Sequence, residues 1–146
     1  MAGAKRTASV VWEGDLMSGS GNITESGSGA LSNLGVTWKA RSGDSDGLTS
    51  PEELIAAAHA TCFSMALSHA LAQAGTPASK LEVTATCTFS LDGGPKISTM
   101  DLDVRGSVEG LDQAGFEAAA NGAGEGCPVS GALKGNVDIN VTATLV

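Results

Sequence analysis

The sequence predicts an α+β fold in which a mainly antiparallel sheet wraps a long central helix. Three observations carry that expectation. Segments that alternate apolar and polar residues lie on both sides of one long, non-alternating stretch. That stretch, residues 51–74, is punctuated as a helix at both ends. The two segments after it are joined by Asp92-Gly93-Gly94-Pro95, a hairpin signal.

Each element can be justified in order. "RTASVVWE" (6–13) alternates loosely and ends at Gly14-Asp15, as a strand would. "GSGNITESGSG" (19–29) fits a second strand in a hairpin. "GVTWKAR" (35–41) sets Val36, Trp38 and Ala40 against Thr37, Lys39 and Arg41, so a third strand is expected and the strands fill 6–41. An acidic, Gly-rich loop follows at 42–49. Ser50 can then cap the central helix, Pro51 suits its first position, and Glu53 completes a capping box. Gly75 and Pro77 end it. At about 1.5 Å per residue it runs roughly 36 Å. Past its first turn it is apolar or neutral on every face, a pattern that belongs to a helix covered on all sides. One sheet of a 146-residue chain rarely covers such a helix, so a second copy of the chain is expected to complete it. "KLEVTATCTFSL" puts Leu81, Val83, Ala85, Cys87, Phe89 and Leu91 on one face. "KISTMDLDVRGSV" gives Ile97, Leu102 and Val104 similar places, with a slip near Met100, so strands fill 80–108. Helices follow at 112–134, split before Pro128, with Cys127 as the cap of the second. Residues 136–146 form a final strand. A single domain over 1–146 is expected.

Composition narrows function. Net charge is −8 and the pI about 4.5. Such a surface repels phosphate backbones and anionic lipid, so neither nucleic acid nor a membrane is an expected partner. The uncharged run 54–79 is long enough to raise a transmembrane reading. His59, Thr61, Ser64, Ser68, His69 and Gln73 within it argue against that reading. Three cysteines do not make a secreted disulfide framework, and no N-terminal apolar run suggests a signal peptide, so a cytoplasmic protein is expected.

The cysteines differ in kind. Cys87 shares a strand face with Val83 and Phe89 and reads as a small core hydrophobe. Cys127, before a proline at a helix start, faces N–H groups that favour its thiolate. Cys62, midway along the apolar helix, reads by itself as packing, because desolvation raises a thiol pKa. To react it needs a cation that its own helix does not supply. His59, one turn earlier, is a secondary candidate for contact with it. No Cys/His spacing suits a metal, and no cofactor motif is present, so neither is expected.

Four segments, "WEGD" (12–15), "ESGSG" (25–29), "SPEELIAAAHATCFSMALS" (50–68) and "GCPVS" (126–130), resemble the OsmC/Ohr family of thiol-dependent hydroperoxide reductases, the OsmC branch in particular. The resemblance implies an intertwined homodimer around two long central helices, with active sites at the subunit interface. It implies a two-cysteine peroxidase without cofactor, acting on organic hydroperoxides and more weakly on hydrogen peroxide. Cys62 matches the peroxidatic cysteine and Cys127 the resolving one. Arg41 matches the arginine that activates the thiolate, and Glu52 the carboxylate that orients it. An external dithiol would restore both thiols. Leu54, Ile55, Phe63 and Met65 are expected to line an apolar substrate pocket. Two other readings of the same residues are a thiol-based redox sensor and a non-catalytic dimeric binding protein.

Overall fold

The computed structural model describes residues 3–146. The chain forms two compact units, divided after Pro51.

In the first unit, β1 (Ala8–Glu13), β2 (Ser20–Ser26) and β3 (Leu34–Val36) form an antiparallel sheet in that order. Every residue of β1 is exposed, including Val10, Val11 and Trp12. The expected strand over 35–41 is a correction. It stops at Val36, and α1 (Trp38–Ser42) takes its place. Thr37 decides this. Its Oγ1 accepts the N–H of Ala40 at 3.0 Å, an N-cap contact that starts a helix where alternation suggested a strand. Arg41 therefore stands in the last turn of α1. The loop after α1 returns to β3, where the Thr49 N–H reaches the Gly35 carbonyl at 3.1 Å.

The second unit is built on α2 (Pro51–Gln73), which begins and ends where its punctuation predicts. Gly75 adopts φ +80°, and the Thr76 N–H returns to the Leu71 carbonyl at 3.0 Å, closing the last turn. β4 (Ala78–Ser90) and β5 (Lys96–Val108) form the long antiparallel hairpin. Leu91 lies past the end of β4 and is exposed. α3 (Gln113–Gly126) is capped by Asp112, whose carboxylate accepts the Gly115 N–H at 2.8 Å. α4 (Pro128–Leu133) follows Cys127 directly. β6 (Asp138–Leu145) then pairs with β5 in parallel, giving the order β4-β5-β6. A crossover through two helices brings the chain back in its original direction. The fold is α+β, with antiparallel pairing everywhere except at β6.

The core lies between α2, α3 and this second sheet. Phe63, Leu67 and Leu71 follow one another at four-residue spacing on α2 and meet Leu102, Val104, Phe116 and Ala120. Gly106 is required here, because a Cβ on it would collide with the Phe116 ring. The slip in alternation near Met100 is a bulge: the register shifts between Thr88 and Phe89, and Met100, Leu102 and Val104 are then buried in step. α2 is long and apolar enough to span a membrane by length and composition, and its buried stripe packs into this core. The chain covers only that one stripe. Ala57, Ala58, Thr61, Met65, Ser68 and Ala72 on the far side are exposed.

Candidate active site

Two sulfurs from distant parts of the sequence meet inside the second unit. α2 presents Cys62 half-buried on the flank of its core stripe. The break between α3 and α4 presents Cys127, only 1% exposed. Pro128 forces that break, since it fits the first position of a new helix and cannot continue the old one. The two thiols lie close enough that each shifts the ionisation of the other.

Their electrostatics differ. Burial pushes the Cys62 thiol up; the Val129 N–H opposes this, while Cys127 adds to it. Burial pushes Cys127 up as well, yet it is outweighed by the Ser130 N–H, the Cys62 thiol, the Ser130 hydroxyl and the Val129 N–H. The net direction for Cys127 is down. A pair this close titrates as one unit. Cys127 makes no side-chain cap bond to α4. The N–H groups of Val129 and Ser130 in that same first turn, and the Ser130 hydroxyl, still favour its thiolate through their dipoles.

His59 hydrogen-bonds to Ser130 and not to Cys62, a different partner from the one expected. Its Nε2 lies 2.7 Å from Ser130 Oγ, and its Nδ1 is buried without a hydrogen-bond partner among the described residues. Burial holds its pKa below the usual value. The helical angle explains the miss: with 100° per residue, His59 points with Phe63 into the core, whereas Cys62 sits off to one side. Ser130 and the Val129 N–H are the site members that sequence reasoning missed. The available signal was position. A serine three residues after a capping cysteine lies at the third position of α4, where polar groups turn back toward the cap.

Glu52 is buried in the first turn of α2, 6% exposed. Cys87 is half-buried on β4, where burial and then the charge of Glu52 push its thiol up. Arg41 belongs to the first unit, half-buried on α1. The four residues expected to form an apolar wall do not share a side of α2. Phe63 is fully buried in the core, Met65 is 67% exposed on the opposite face, and Leu54 and Ile55 are half-buried. The correction has the same cause as for His59: residues 54 and 65 point one way on a helix and residue 63 the other. A cavity of about 540 Å³ opens between α3, α4 and β6, with Ser130, Lys134, Glu125 and Asp138 on its walls. It touches the cysteine site only at Ser130. Among the described residues, no group of three or more His, Cys, Asp and Glu side chains is placed to hold a metal ion.

The family description "OsmC-like protein" matches residues 43–142, which include Glu52, Cys62 and Cys127. The chain belongs to the OsmC-like family. The matched span begins just after Arg41. OsmC relatives agree over most of the chain: Peroxiredoxin OsmC of Escherichia coli (strain K12) is 38% identical over 130 residues, 88% of this chain and 90% of that protein. The organic hydroperoxide resistance protein-like 2 of Staphylococcus epidermidis (strain ATCC 35984) is 31% identical over 109 residues, 75% of this chain and 77% of its own length. Among solved structures, the organic hydroperoxide resistance protein OhrB of Bacillus subtilis superposes with a TM-score of 0.72 at 29% identity, covering 94% of this chain and 98% of OhrB.

Proposed function

We propose that this OsmC-like protein is a two-cysteine peroxidase that reduces organic hydroperoxides, and hydrogen peroxide more weakly. The observation that carries the reading is the electrostatically linked pair of thiols, Cys62 and Cys127, brought together from 65 residues apart in sequence. The names of the relatives, a peroxiredoxin and a hydroperoxide resistance protein, support the same reading.

The chemistry follows from the sulfurs. The Cys62 thiolate attacks the outer peroxide oxygen, the O–O bond breaks, and the alkoxide takes a proton to leave as an alcohol. Cys62 is left as a sulfenic acid. Cys127 then attacks that sulfur, water departs, and a Cys62–Cys127 disulfide remains, which an external dithiol reduces. Cys62 is the weaker acid of the pair and needs a cation to ionise. Arg41 is assigned that role, with Glu52 fixing its guanidinium by a charge-assisted pair. Glu52 and Cys62 stand about 15 Å apart along α2, so on a single helix Arg41 would have to span most of that gap. Two copies of α2 crossing antiparallel near Ala57 bring Glu52 of the partner subunit toward Cys62, so the working unit is a homodimer with both chains in each site. The exposed small residues on the far side of α2 support that crossing. Residues 1–146 are read as a single OsmC-like domain. The three free cysteines suit the reducing cytoplasm.

The test is steady-state reduction of cumene hydroperoxide and hydrogen peroxide with excess dithiol, for wild type, Cys62→Ser and Cys127→Ser. Loss of turnover in Cys62→Ser and a single turnover in Cys127→Ser are expected. A wild type that consumes only one equivalent would instead be a sensor, and one that consumes none a binding protein.

A further inference from the structure

The mechanism above leaves one buried group unused. His59 is 0% exposed, bonded through Nε2 to Ser130 Oγ at 2.7 Å, and its Nδ1 has no hydrogen-bond partner among the described residues. A neutral imidazole carries one proton, on one nitrogen or the other, and burial keeps this ring neutral. With the proton on Nδ1, a buried N–H would face nothing. With it on Nε2, only a lone pair goes unmet. An orphaned buried donor is the rarer and costlier arrangement. The unpartnered nitrogen therefore fixes the tautomer: Nε2 carries the proton and donates it to Ser130 Oγ. The serine hydroxyl has one proton of its own, not needed toward His59. Ser130 stands at the third position of the helix that Cys127 precedes, both residues are buried, and the hydroxyl can turn that proton toward the Cys127 sulfur, where it favours the thiolate.

We propose that His59 is a positioning residue for the resolving step: by donating to Ser130 it aims the serine hydroxyl at Cys127 and holds that sulfur as the thiolate that captures oxidised Cys62. This rests on the two-cysteine reading above. In the step, an electron pair of Cys127 forms the S–S bond and the S–O bond of the Cys62 sulfenic acid breaks. The departing hydroxide takes up a proton equal to the one Cys127 lost on ionising, and leaves as water. Ser130 and His59 keep their protons throughout. Their contribution is direction, a line of donors from imidazole to hydroxyl to sulfur.

The experiment is a single turnover. The fully reduced chain is mixed with one equivalent of cumene hydroperoxide, quenched in acid at intervals, and weighed intact. Thiol, sulfenic acid and disulfide forms give two rate constants, one for attack on peroxide and one for disulfide formation. Ser130→Ala and His59→Leu are expected to lower the ratio of the second to the first about tenfold, the scale of one hydrogen bond to a charged group. His59→Gln keeps an amide donor near the place of Nε2 and is expected to recover most of that ratio. With excess peroxide, Ser130→Ala should accumulate sulfinic acid on Cys62. An unchanged ratio in Ser130→Ala overturns the proposal, and that variant carries the test alone if His59→Leu does not fold. A glutamine no better than leucine also overturns it, since packing alone would then explain His59. A wild type that consumes peroxide without forming the Cys62–Cys127 disulfide overturns the two-cysteine reading and this inference with it, before any variant is compared.

Discussion

Cys62 and Cys127 are the same chemical group in different surroundings, and the surroundings assign their tasks. Cys127 sits among several donors at the start of α4 that favour its thiolate. Cys62 sits on a helix flank whose main influence is burial, so its reactivity has to be supplied by charge. Both tendencies were legible in the sequence, one from Pro128 and the other from the uncharged helix. The link from His59 to Ser130 was not, because it joins positions 71 residues apart and no local pattern encodes it. That link has a consequence for stability. The pKa of folded His59 lies below the ordinary value of about 6.5. Its contribution is therefore fully present above that value and lost as pH falls through the folded pKa, since the unfolded chain takes up a proton that the folded chain refuses. Urea denaturation between pH 7.5 and about 5 should show wild type losing stability relative to His59→Gln as the pH drops. A gap that does not change with pH would contradict the buried neutral imidazole.

The elements show what alternation can and cannot specify. β4 and β5 were readable because one face packs on a core, and even the slip near Met100 corresponds to a real bulge. The stretch after Val36 was misread because three alternating pairs fit a short helix as well as a strand, and Thr37 supplies the cap that settles it. The loss of that cap should be measurable: Thr37→Ala is expected to cost about 1 kcal/mol. Close approach was equally hidden from the sequence. Nothing in "DVRGSV" says that Gly106 carries an aromatic ring on its face, yet a Cβ there collides with Phe116. Gly106→Ala should destabilise the protein by roughly 1–3 kcal/mol in urea, with Phe116→Leu partly relieving the double variant. Full additivity of the two changes would argue against that contact.

The chain as a whole leaves its most apolar helix half-covered, and the sequence anticipated this from the lack of a polar face on α2. What it could not supply is the partner surface, because contacts between copies leave no period in a single sequence. A charge placed on the uncovered stripe tests the expected dimer. Ala57→Glu changes an exposed position of the chain and should be harmless to a monomer, but it should shift a dimer toward monomers in light scattering and reduce peroxidase turnover along with them. Unchanged mass and turnover would remove the crossing near Ala57. The central claim, that two sulfurs act as one redox unit, is tested most directly by peptide mapping without reductant. Fully reduced protein is treated with one equivalent of cumene hydroperoxide, digested, and read by mass. The account predicts one linked peptide pair containing Cys62 and Cys127, with Cys87 still a free thiol. A linkage through Cys87, or sulfinic acid on Cys62 with Cys127 untouched, would contradict it.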